Sequence, residues 1–450
     1  MEQANGGQLI DADWVLTGAS RLVTMEPAAD AAHGTTALAN PPDDAPDMNA
    51  QLGDGRAGRL GVIAHGALAA RGGRIVWVGP EATLAANVNL DAILSTARYD
   101  AGGRAVLPGF VDAHTHFIFA GDRAEEFHLR HAGVGYEELG RQGRGILSTV
   151  RATRAASADQ LRSLGAARLR SFATQGTTTV EGKTGYGLDL ATEARCLDVM
   201  ADLAREPGLP TVVPTFLGAH TLPPEYRAAP ADRADYVALV CEEMLPAFAG
   251  RARFCDVFCE SGAFTVAEAR RILTRARELG YALKLHANQL GPSGGARLAA
   301  ELGATSADHL DYASDDELDA LAAAGVVGVL LPGCSFSLSA PYPSGRRLLA
   351  HGLSVALATD FNPGTSYCES MQMMVALAVS ALGLTLDEAL TAATLGGARA
   401  LGLADEIGSL AVGKRCDLIV LQGADERELA YHFGVNLVAE TIMGEQQPNE

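Results

Sequence analysis

Residues 105–116 read AVLPGFVDAHTH, and both the fold class and the chemistry turn on this stretch. An apolar run ending in two histidines at i and i+2 predicts a buried strand that delivers both imidazoles to one point. Side chains two apart on a strand share a face and sit about 6.6 Å apart along the backbone. Seven further short apolar runs follow: TTTVEGK (177–183), TVVPTFLG (211–218), FCDVFCE (254–260), ALKLHAN (282–288), SADHL (306–310), VVGVLLPG (326–333) and SVALATD (354–360). Helical stretches separate them. In TVAEARRILTRARELG (265–280), Thr265 and Glu268 have capping-box spacing and Gly280 is a natural stop. Eight buried strands alternating with amphipathic helices predict a (β/α)8 TIM barrel over residues 107–404. No G-x-G-x-x-G follows a strand, which weakens an open doubly wound sheet.

Outside that region the texture differs. WVLTGASRLVTM (14–25), LGVIAHGALAA (60–70) and RIVWVG (74–79) read as strands, and strand texture returns in GSLAVGKRCDLIVL (408–421) and VNLVAETIMG (435–444). Residues 1–106 and 405–450 are therefore expected to combine into a small β-sandwich domain, with the barrel inserted between its halves. Residues 27–59, rich in Pro, Ala, Asp and Gly without periodicity, read as a mobile surface loop.

With 48% hydrophobic and 20% charged residues, the 450-residue chain has a globular composition. Its 35 Lys and Arg against 54 Asp and Glu give a formal charge of −19, which argues against nucleic acid or an anionic membrane as a partner. The scattered cysteines read as reduced thiols, the N-terminus lacks signal-peptide features and no run is long enough to span a membrane. A cytoplasmic protein is expected. Only Lys183, Lys284 and Lys414 are lysines.

A barrel's active site lies at the C-terminal ends of its strands. The first strand ends in His114 and His116, the fifth in His286, the sixth in His309 and the eighth in Asp360. His114, His116, His286 and Asp360 offer three nitrogens and one oxygen with space for water, which suits zinc or non-haem iron. His220, ending the third strand, is placed for a role in the same site. His128 and His131 are expected on a helix surface.

LPGFVDAHTH with the later strand-end histidines and the ATD of residues 358–360 resembles the amidohydrolase superfamily. FAGDRAEEF (119–127), VEGKTGYGLDL (180–190), FLGAHTLPPEY (216–226), FCDVFCE, KLHANQL (284–290) and LATDFNPGTS (357–366) narrow the likeness to the imidazolonepropionases within it. The resemblance runs from about residue 103 to the end. It implies hydrolysis of the cyclic amide of 4-imidazolone-5-propanoate, a small-molecule substrate, by one Zn2+ or Fe3+ per chain in a homodimer. Catalytic roles fall on Asp360 and His309. Arg123 matches the carboxylate-binding arginine, the alternative being a surface pair with Glu125 or Glu126. Tyr186, His220, Asn362, Gly364 and Thr365 match further substrate or product contacts.

The rival reading is a mononuclear base deaminase of the same superfamily. Such enzymes usually carry a proton-shuttling glutamate three residues after the strand-five histidine, where this chain has Gln289. An amide cannot shuttle protons that way but can still bind a ring. A non-catalytic barrel scaffold is a weaker alternative, since such relatives typically lack metal ligands. Strand four, FCDVFCE, has no lysine to bridge two metals, so a single metal is expected, and Lys284 reads as one half of a structural ion pair.

Overall fold

The structure is a computed structural model that describes residues 9–26, 60–133 and 144–444. The segment 27–59, expected to be a loop, lies outside the described residues. Among those described, the chain forms two sheets. The first draws β1 (Trp14–Val23), β2 (Val62–Arg71), β3 (Arg74–Pro80), β4 (Arg98–Asp100) and β5 (Ala105–Pro108) from one end. The barrel strands follow: β6 (Phe110–Asp112), β7 (Thr177–Lys183), β8 (Thr211–Ala219), β9 (Phe254–Cys259), β10 (Ala282–Ala287), β11 (Ser306–His309), β12 (Val327–Leu330) and β13 (Val355–Leu357). The other chain end returns β14 (Leu418–Leu421) and β15 (Val438–Ile442) to the first sheet, ordered β15-β14-β5-β1-β2-β3 with β4 on β1. The small β domain built from both chain ends is thus one seven-stranded mixed sheet.

β6 to β13 pair in parallel and in chain order. The ring closes through Thr115 and Phe361, which form a parallel bridge. There His116 N donates to Phe361 O at 2.8 Å and Asp360 N donates to His114 O at 3.1 Å. Closure therefore sets the H-x-H segment directly against Asp360. Helices between the strands supply the outer layer. Val266–Glu278 begins at a capping box between Thr265 and Glu268 and buries Ala269, Ile272, Leu273 and Ala276, as the spacing predicts.

Two readings need correction. The stretch 105–116 is not one strand, and the barrel does not begin at residue 107. Ala105–Pro108 pairs with β1 and β14 in the small sheet, and Phe110 opens the barrel. Gly109 makes the break, where a Cβ would meet Thr178 Cγ2 at 2.3 Å, so only glycine lets the chain pass this close. In 408–421 only Leu418–Leu421 is strand. Gly408 and Gly413 there take positive φ, which extended pairing does not allow.

Candidate metal centre

The site rests on a layer of charged side chains inside the barrel. Glu181 and Lys183 share the inward face of β7, and Lys284 and His286 that of β10, while Asp256 and Asp308 reach inward from β9 and β11. Glu181, Lys183, Asp256, Lys284 and Asp308 are fully buried. Lys183 Nζ lies 2.7 Å from Asp256 Oδ2, 3.0 Å from Glu181 Oε2 and 3.5 Å from Asp308 Oδ2. Lys284 Nζ lies 3.1 Å from Glu181 Oε2 and donates to Ala113 O at 3.0 Å, the structural ion pair expected of it. Burial alone would raise the Asp256 carboxyl, but His286 and Lys183 hold it well below its ordinary value.

These carboxylates orient the histidines above them. His114 Nδ1 donates to Asp308 Oδ2 at 2.6 Å, which leaves the Nε2 lone pair of that ring free, and Nε2 is buried without a partner. Asp256 Oδ2 lies 2.9 Å from His286 Nδ1 without hydrogen-bond geometry, and Asp256 Oδ1 accepts from His286 N at 3.2 Å. His116 Nδ1 is likewise buried and unpartnered. One ring nitrogen from each of His114, His116 and His286 lies within 4.8 Å of the other two. Burial first, then neighbouring cations, pushes His114 and His116 well below the ordinary imidazole value, so both rings are neutral.

Asp360 Oδ1 completes the group, 3.5 Å from His114 Nε2 and 3.6 Å from His116 Nε2. Two ligand atoms each about 2.1 Å from a tetrahedral cation are separated by about 3.4 Å, so these spacings fit a shared ion. Neutral rings with outward lone pairs beside a carboxylate pushed up to about 7 by burial form the donor chemistry of a cation site. Backbone strain gathers here too: Asn288, His309, Leu310 and Asp360 have φ between 50° and 79°, a pattern that functional sites accumulate.

The centre opens into a cavity of about 620 Å³ lined by His116, Arg123, Tyr186, His220, His286, Gln289, His309, Asp360, Asn362 and Thr365, with Arg130 beside them. The residues singled out in the sequence therefore converge. The His309 ring lies 5.6 Å from that of His114 and 5.4 Å from that of His286. His220 stacks on His116 at 5.0 Å, and its Nδ1 donates to Gly185 O at 3.0 Å. Asn362 Oδ1 accepts from Gly364 N and Thr365 N at 2.8 Å, so Asn362 shapes the loop after β13. Gly364 packs on Arg123, whose Nη1 would lie 2.1 Å from a Cβ at that position. Arg123 pairs with Glu126, Nε to Oε2 at 3.0 Å, in a largely buried pair rather than a surface one, and lines the cavity as well. His128 and His131 are exposed on the helix Ala124–His131.

Sequence reading missed Asp256, Asp308 and Glu181 beneath the histidines and Arg130 in the wall. Arg130 Nε and Nη2 are buried without a partner, while Nη1 donates to Gly364 O at 3.3 Å. The available signal was charge at inward strand positions, as in TTTVEGK and FCDVFC. Asp308→Asn should keep the fold yet weaken metal affinity about 10- to 100-fold, the usual effect of removing a carboxylate behind a ligating histidine. Competition with a chelator, alongside circular dichroism, reads this directly; unchanged affinity would show Asp308 to be irrelevant to the centre.

Residues 105–445 match the amidohydrolase family. The chain is 54% identical to an imidazolonepropionase of Symbiobacterium thermophilum over 385 residues, 85% of this chain and 89% of that one. It is 48% identical to one of Salinispora arenicola, with 88% and 94% covered. Among solved structures, an adenosine deaminase from Xanthomonas campestris with bound zinc shares the fold at a TM-score of 0.67 and 20% identity, covering 98% of this chain and 93% of that one. The chain belongs to the amidohydrolase family and, within it, to the imidazolonepropionases.

Proposed function

We propose that this chain hydrolyses the ring amide of 4-imidazolone-5-propanoate to N-formimidoyl-L-glutamate, a step of histidine degradation. The carrying observation is a cation-type donor set at one end of a cavity whose wall holds guanidinium groups. The relatives named above, similar over most of the chain, support the same reading.

Ring opening joins a water oxygen to the ring carbonyl carbon, breaks the bond from that carbon to nitrogen and leaves a carboxylate. His114, His116, His286 and Asp360 would hold the metal, which when bound supplies Lewis acidity and makes water easier to deprotonate. The donor set serves Zn2+ and Fe3+ alike. Asp360 takes the proton of the attacking water and returns it to the departing nitrogen. Burial lowers His309, so its ring is neutral and turns a hydrogen bond toward the carbonyl oxygen as charge develops there. His220, with Nδ1 committed to Gly185 O, presents Nε2 to the ring. Gln289 binds the ring through its amide, Tyr186 packs beside it, and Arg123 receives the propionate. Asn362, Gly364 and Thr365 shape the loop that holds substrate and product. Family resemblance further supports a homodimer working in the cytoplasm.

Purified protein should consume imidazolonepropionate, followed by ultraviolet absorbance, and should release no ammonia from cytosine, guanine or adenine at a comparable rate. Rapid ammonia release without imidazolonepropionate turnover would replace this reading with the deaminase. Arg123→Lys keeps the charge but loses the planar fork. Its KM should rise about tenfold or more, on the scale of a hydrogen bond to a charged group. Steady-state kinetics of the variant check this, and an unaltered KM would assign Arg123 to its ion pair with Glu126 alone.

A further inference from the structure

Cys334 lies in the first turn of the helix Pro332–Leu338, directly after β12, and its side chain is buried. Gln289 Nε2 donates to its Sγ at 3.5 Å. Cys334 Sγ, a ring nitrogen of His309 and a carboxylate oxygen of Asp360 all lie within 4.8 Å of one another. Hydrolysis as derived above gives the thiol no task.

We propose that His309, Cys334 and Asp360 form a second, inhibitory cation position beside the resident metal, selective for thiophilic divalent ions such as Cd2+ and excess Zn2+. One sulfur, one imidazole nitrogen and one carboxylate oxygen make a ligand set for soft and borderline ions, whereas Mg2+ and Ca2+ prefer all-oxygen sites. The two oxygens of Asp360 face different ways. Oδ1 lies against His114 and His116, while Oδ2 lies 3.5 Å from Thr365 Oγ1. One carboxylate can therefore serve two neighbouring cations, as in two-metal centres. His309 and Asp360 line the cavity, so an ion enters by the substrate's route. Binding exchanges the Cys334 thiol proton for the cation, with no change of oxidation state. It also ties up the Asp360 carboxylate and holds the His309 ring away from the carbonyl oxygen, so inhibition follows.

This inference rests on the reading of His114, His116, His286 and Asp360 as the resident centre, and on His309 and Asp360 as reacting groups. Metal uptake and sulfur ligation can be read without substrate, so a wrong substrate assignment would leave them standing. The test adds Cd2+ to the holoenzyme. Native protein should take up one further cadmium per chain, gain a sulfur-to-cadmium charge-transfer band and lose turnover that dithiothreitol restores. Exchange of the resident metal would give no such band, because its ligands contain no sulfur. Cys334→Thr and the near-isosteric Cys334→Ser should lose the band and need at least about tenfold more Cd2+ for inhibition, the least expected for a lost ligand. Cys368→Ser, at a half-exposed thiol outside the trio, should respond as native does. Native protein that binds no further cadmium would overturn the proposal. So would Cys334 variants that keep the band or are inhibited at the native concentration.

Discussion

The site depends on one constraint: the charges sealed inside the barrel must neutralise one another and still hold the histidines in place. Lys183 stands among Glu181, Asp256 and Asp308, and Lys284 shares Glu181. An unpaired charge at such a depth would cost several kcal/mol, so these side chains have little freedom to rearrange. Asp308 and Asp256, held from below by Lys183, in turn orient His114 and His286 above. The stiffness of the ion-pair layer is thereby passed to the donor atoms. A cation site needs this, because ligands that wander by an ångström lose both geometry and affinity.

Barrel closure adds the fourth donor. Asp360 comes from the opposite end of the barrel sequence, yet the bridge from Thr115 to Phe361 sets it beside the H-x-H segment through backbone hydrogen bonds. His309 and Asp360 take positive φ where their strands end at the centre. Strain at these positions is tolerated because the surrounding strands are packed on both faces. The cavity then pairs the cation-type donor set with a guanidinium-lined wall, an arrangement that suits the proposed substrate with its reactive carbonyl and anionic tail.

Much of this was legible in the sequence. Short apolar runs predicted all eight barrel strands, because fully buried parallel strands carry an unbroken apolar signal. The proposed cation ligands stood out because a histidine or aspartate closing such a run has few structural reasons to be there. Three features were not. The break at Gly109 depends on Thr178, 69 residues away in sequence, and no local pattern reports a close approach of that kind. The roles of Asp256 and Asp308 are set by which strands become neighbours. Arg123 illustrates the same limit: the resemblance implied a substrate anchor and the sequence also offered a surface pair with Glu125 or Glu126, and only packing shows Glu126 engaging its fork in the cavity wall.

The proposed centre holds one resident cation among His114, His116, His286 and Asp360. Crystals of the protein as purified, measured above and below the absorption edge of the metal found in it, test this most directly. A single anomalous peak per chain is expected, within bonding distance of those four side chains. A peak elsewhere, for instance among Glu181, Asp308 and Lys183, or two peaks of equal strength in the untreated protein, would contradict it.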